Sequence, residues 1–190
     1  MPKGFLEELF SKEENEQTSE MNIYAVIDAA KIKKLTNELI IVDEQKVKIL
    51  FDGQEAIELE EVAPYLVKLN KEDEFSTWIA KNVYGNSGAI FIKSTNDIET
   101  LAEHLKPFIP VTREVEHEGR TITQKGYLAY YDPRVFPNWI ESETQNRQAE
   151  FFSNIREVLC EDEFKKYHYL SYQYSNELKS QSKKAYEENL

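Results

Sequence analysis

Cysteine is nearly absent from this sequence. Cys160 is the only one in 190 residues, so no disulfide can close within the chain and no cysteine cluster can hold a metal. Histidine is almost as scarce. His104, His117 and His168 are the three present, and no two have the spacing of a metal-binding pair. Neither Gly-x-x-x-x-Gly-Lys-Ser/Thr nor Gly-x-Gly-x-x-Gly occurs, so no phosphate cradle is indicated. There is no internal repeat and no low-complexity tract. No apolar run reaches the roughly 18 residues of a membrane span. The apolar stretch near Phe5 is too short for a signal-peptide core and is broken by acids. The expected compartment is therefore the cytoplasm, with no membrane insertion.

Positive charge is also in short supply. Lys and Arg total 23 against 35 Asp and Glu, a formal net charge of −12. Such a chain lacks the basic surface that releases counterions from nucleic acid, and it suits anionic lipid no better. The acids are too many for any one pair to signal catalysis, and they read as a solvated face. What is present is core-forming material: 41% hydrophobic and 12% aromatic residues. The two are unevenly placed. Residues 1–60 hold 14 acids and 7 bases, whereas 12 of the 23 aromatics fall between Tyr127 and Tyr174.

Periodicity predicts the elements. Phe5, Leu6, Leu9 and Phe10 have helical spacing, and Glu13–Glu20 reads as a loop. Ile23–Ile27 and Ala89–Ile92 are continuous apolar runs, the pattern of buried strands. Val47, Ile49 and Phe51 alternate with lysines as a further strand, and Tyr65–Val67 is a short one. Helices are expected around Ile32–Ile40, over Phe75–Val83 up to Gly85, and over Ile98–Leu105 behind a capping box of Asn96 and Glu99. Glu118-Gly119 predicts a hairpin turn between Val111–His117 and Ile122–Tyr131. Phe151–Leu159 and Lys179–Leu190 read as helices. The expected class is α+β. A mixed α/β lobe over 1–140, with a small β-sheet and flanking helices, precedes a mainly helical, aromatic-rich lobe over 141–190.

Few strings carry chemistry. Gly85-Asn86-Ser87-Gly88 lacks the order of a nucleophile elbow and reads as a helix-to-strand turn. Tyr130-Tyr131-Asp132-Pro133-Arg134-Val135 is the sharpest. Pro133 keeps Asp132 out of the helical region and can open a helix, which makes Asp132 a candidate N-cap. Arg134 can pair with Asp132 or with Asp28, and a structural network is the favoured reading. Tyr167–Tyr174 holds four tyrosines, a residue type that suits both cores and binding surfaces.

At these strings the sequence resembles the type VI secretion effector adaptors, also called effector chaperones, a bacterial family long filed under unknown function. The shared pieces, in order, are Tyr24-Ala25-Val26-Ile27-Asp28-Ala29-Ala30, Ala63-Pro64-Tyr65-Leu66-Val67-Lys68-Leu69, Trp78 followed by a glycine and a strand, and Tyr130–Val135. They cover about residues 22–140. Ala129 departs from the arginine that often precedes the paired tyrosines. The resemblance implies a non-enzymatic adaptor with no cofactor and no metal. Its partners would be the N-terminal region of a cognate secreted effector and a valine-glycine-repeat (VgrG) spike or tip protein. It makes Tyr24, Asp28, Pro64, Trp78, Tyr130, Tyr131, Asp132, Pro133 and Arg134 structural motif residues. Phe151, Phe152, Ile155, Tyr167, Tyr169, Tyr172 and Tyr174, in the variable end, are the expected partner-contact residues. Two other classes stay open. An immunity protein would use its acidity against a basic toxin site. A small enzyme would gather Asp28, Asp132 and Arg134 with His104 or His117.

Overall fold

Ile23–Ile27 is apolar without alternation because the strand it forms is interior to a sheet and covered on both faces. The computed structural model of the chain describes Phe5, Glu7, Leu9, Phe10, residues 21–117 and residues 119–184, with His117 described by its backbone alone. β1 (Asn22–Asp28) is paired antiparallel with β3 (Pro64–Leu69) on one side and β4 (Ala89–Ser94) on the other. β2 (Val47–Ile49) adds to β3. Beyond β4 come β7 (Glu157–Glu161), β8 (His168–Tyr174) and β9 (Leu178–Lys184), each antiparallel to the last. The result is a seven-stranded sheet in the order β2-β3-β1-β4-β7-β8-β9. β5 (Pro110–His117) and β6 (Arg120–Tyr127) form a separate two-stranded ribbon around Gly119.

The helices are short: α1 (Leu35–Leu39), α2 (Gly53–Glu58), α3 (Glu74–Asn82), α4 (Ile98–Leu105), α5 (Phe136–Ser142) and α6 (Gln145–Phe152). Their apolar residues cover the sheet from two sides. Phe91 of β4 is in register with Leu159 and thence Ser171, so Tyr172, one residue on, faces the other way. Phe5 sits against Phe91, with ring centroids 5.0 Å apart. On the opposite face Phe136 meets Tyr172 at 5.3 Å, and Tyr130, Trp139 and Phe151 close around it. Burying each such ring is worth about 1.5–3 kcal/mol. That face therefore fastens α5 and α6 to the strands.

The expected small sheet followed by a mainly helical second lobe is overturned. Residues 157–184 supply three strands to the same sheet as β1 and β4, so the sheet runs across residue 140. The helical reading of Phe151–Leu159 fails because α6 ends at Phe152 and the apolar run Val158-Leu159-Cys160 is an interior strand buried on both faces. A short apolar run fits either element. The helical reading of Lys179–Leu190 fails as far as Lys184. β9 is an edge strand rich in lysine and serine, without the apolar alternation that marks a strand. Residues 185–190 lie outside the described residues, as do Leu6 and the expected loop Glu13–Glu20. The cap of α4 is Asp97 rather than Asn96, its carboxylate accepting the Thr100 N–H at 2.8 Å.

Candidate functional site

β1 ends at Asp28 and the chain turns there. The Lys31 and Ile32 N–H groups both donate to the Asp28 carbonyl, at 3.1 and 3.0 Å, and the Ala30 N–H donates to Asp28 Oδ1 at 3.0 Å. The turn carries Lys31 over to Asp132, with which it forms an ion pair. Its ammonium also donates to the Ser87 carbonyl at 3.2 Å. Gly88 makes this approach feasible, because a Cβ there would lie 2.3 Å from Ile32 Cδ1. Arg134 grips the same Asp132 carboxylate with a fork, Nε to Oδ1 at 3.1 Å and Nη2 to Oδ2 at 2.9 Å, and adds its backbone N–H at 2.9 Å. Of the two partners the sequence left open for Arg134, Asp132 is the one it pairs with. Asp132 does not cap α5. It stands before Val135, the cap position, and Pro137 rather than Pro133 lies in the first turn.

A second carboxylate arrives from β7. Glu161 Oε2 accepts the Ser87 N–H at 3.3 Å, while its Oε1 is buried without a hydrogen-bond partner. The site's acids differ in electrostatics. Burial pushes Asp28 up from the ordinary carboxylate range, and the neighbouring Asp132 adds to this. Burial pushes Glu161 up as well. For Asp132 burial acts the same way, but the hydrogen bonds from Arg134 and Lys31 outweigh it and hold the carboxyl below its usual range. Burial, together with the charges of Asp28 and Asp132, pushes the Tyr131 phenol up to about 12.

Two cavities open beside this network, and Ser87 and Arg134 line both. One, of about 630 Å³, lies against Glu161, Tyr84 and Tyr167. The other, of about 730 Å³, lies against Lys31, Lys33, Lys34 and Trp78. The arrangement ties together three segments that are remote in sequence and leaves cationic side chains facing both openings. Among the described residues no group of three or more His, Cys, Asp or Glu could hold a metal ion, and no helix is long and apolar enough to cross a membrane.

The motif residues mostly build the frame of this site. Tyr24 is buried, its hydroxyl donating to the Asn96 carbonyl at 2.7 Å. Pro64 opens β3 opposite Asp28. Tyr130 is buried and donates to the Leu105 carbonyl at 3.3 Å. Trp78 is half-buried and stacks on Phe75. Five of the seven expected partner-contact residues lie in the core rather than on a surface. Phe151, Phe152, Ile155, Tyr169 and Tyr172 are all buried in the core. Tyr172 reaches out only by its hydroxyl, which donates to Glu141 Oε1 at 2.9 Å. Tyr174 and Tyr167 are half-buried, and only Tyr167 lines a cavity described above. His104, on α4, is hydrogen-bonded to the Phe151 carbonyl at 2.7 Å and lines neither of the two cavities beside Arg134. His117 is seen here only as the backbone end of β5.

Sequence reasoning passes over Lys31 and Glu161. Lys31 did leave a signal: Lys31-Ile32-Lys33-Lys34 holds three of the seven bases in the first 60 residues. Glu161 left none, because its role depends on the turn at Ser87.

No curated protein and no solved structure gives a significant match to this chain. A family model does. It covers residues 23–150, and so holds Asp28, Lys31, Ser87, Asp132 and Arg134 while ending before Glu161. The chain belongs to the DUF4123 family, described as a domain of unknown function.

Proposed function

We propose that this protein is a non-enzymatic adaptor that binds a cognate type VI secretion effector and helps to load it onto a VgrG spike. The observation that carries the reading is the family match over residues 23–150, which contains all four strings that resemble the effector adaptors. The site supports it in a second way. Arg134 and Lys31 spend hydrogen bonds on Asp132 in a relay that braces three chain segments, the architecture of a rigid binding platform. Deleting the gene should leave one effector inside the cell while other effectors are still exported, and restoring the gene should restore its export. Unchanged export of every effector would overturn the reading.

The net charge of −12 favours a second reading, an immunity protein that covers a basic toxin site. That protein would inhibit the toxin's catalytic domain in a salt-sensitive way. Binding confined to an effector's N-terminal region would exclude it.

A further inference from the structure

We propose that Lys31, Lys33, Lys34 and Arg134 form a cationic ledge that takes an extended, acidic segment of the partner protein. The inference rests on the adaptor reading and names the chemistry of what the adaptor holds. In a chain with a net charge of −12, the 730 Å³ cavity is lined by these four cations and a single acid, Glu38. Lys31 and Arg134 are held by Asp132, with Asp28 and Glu161 also in their field, so the uncommitted charge of the ledge rests on the next two lysines. Lys33 and Lys34 are exposed, and among the described residues neither forms an ion pair. These two cations thus have charge left to offer.

The backbone around the ledge is held in a costly form. Lys34 has φ of 71° and Ser87, on the facing turn, φ of 51°. A non-glycine residue in the left-handed region is strained, and such positions gather at ligand clamps.

The shape favours a peptide over a compact anion. A small anion is gripped where donors converge on one point. Here the cations are strung along the 730 Å³ cavity, giving a trough for a few residues, and the adjoining 630 Å³ cavity, lined by Glu161, Asp162 and Glu163, marks where the cationic stretch ends. Trp78 forms one wall. Asn82 and Asn86 each donate one N–H to the α3 end, at 2.8 and 2.9 Å, which leaves the rest of each amide to meet a peptide backbone. A nucleic-acid strand brings a charge with every nucleotide into the field of an acidic protein and fits less well.

The test compares three forms of the tagged full chain as bait in the native lysate, each with and without nuclease treatment: wild type, Lys33→Glu/Lys34→Glu, and Lys179→Glu on the distant β9 edge. Thermal melts confirm that the variants fold. The bound segment of the captured protein is then mapped, and its Asp and Glu are changed to Asn and Gln. The expected result is a loss of about tenfold or more in affinity for the double variant, little change for Lys179→Glu, and the same loss when the segment's acids are neutralised. Full-strength capture by the double variant overturns the ledge and leaves the adaptor reading intact. Capture abolished by the nuclease overturns the peptide assignment. A wild-type bait that captures nothing removes the adaptor reading and the ledge together.

Discussion

Arg134 forks the carboxylate of Asp132, two residues before it, at 3.1 and 2.9 Å, and Lys31 approaches the same group from the end of β1. Asp132 is buried whereas Arg134 is half-exposed. The acid is thus the element the site depends on. Asp132→Ala leaves two cations without this counter-charge and takes the acceptor from four donors, one backbone N–H and three side-chain groups, and should cost about 1–3 kcal/mol. Arg134→Ala leaves Asp132 paired to Lys31 and should cost about 1 kcal/mol or less. Urea denaturation of both variants checks the order.

The sheet contains a second buried ion pair. Lys93 of β4 contacts Glu157 of β7 at 2.9 Å, and the Ser171 hydroxyl of β8 donates to Glu157 Oε1 at 2.5 Å. Both charged groups are buried. Lys93→Met strands the glutamate and should destabilise by about 3–5 kcal/mol, while the double change Lys93→Met/Glu157→Leu should recover much of that loss. Denaturant midpoints of the single and double variants measure the difference.

The acids divide into two classes under titration. Burial raises Glu157, but the Ser171 hydrogen bond and the Lys93 charge outweigh it, so Glu157 lies below its ordinary range like Asp132. A lowered folded value gives stability that is present above the unfolded value and lost as pH falls through the folded one. Asp28 and Glu161 are raised, so their sign is reversed. The folded state holds their protons longer, and stability drains away as pH rises from the ordinary carboxylate value through the raised one. Asp28→Asn and Glu161→Gln should therefore flatten the stability profile on the neutral side of that range and leave the acid limb unchanged. Thermal melts across pH would show it, and an unchanged neutral-side slope would contradict the assignment.

Ending the chain at residue 140 would remove β7, β8 and β9 and expose the edge of β4. Phe136 would lose its ring contacts with Phe151 and Tyr172. The fragment should fail to fold, with aggregation or lost cooperativity in circular dichroism and gel filtration. A monomer melting cooperatively would show that residues 1–140 fold alone.

Cys160 is fully buried in β7, and burial pushes its thiol up. It should resist a thiol reagent in the native state and react on unfolding. Rapid native labelling would contradict its placement.

The sequence is legible where an element carries its own signal. Ile23–Ile27 and Ala89–Ile92 are apolar throughout because both strands are interior, and the Asp132-Pro133-Arg134 string announces a turn with a charge pair. β9 hides because an edge strand blunted with lysine needs no apolar alternation. β7 hides because a short buried strand and a short buried helix share one pattern. The tyrosines of β8 suit both a core and a surface, and the fold decides the matter by pairing Tyr172 with Val158 and Tyr169 with Glu161 inside the sheet. The relay from Asp132 through Lys31 and Ser87 to Glu161 joins residues up to 101 apart for one bond and 74 for another. No local pattern encodes such a pairing.

Affinity capture with the tagged full chain from a lysate of its native cells, followed by mapping of the bound segment, tests the adaptor function most directly. One effector recovered in stoichiometric amount, held through its N-terminal region, is the expected outcome. Recovery of no stoichiometric partner, or of a toxin's catalytic domain alone, would contradict it.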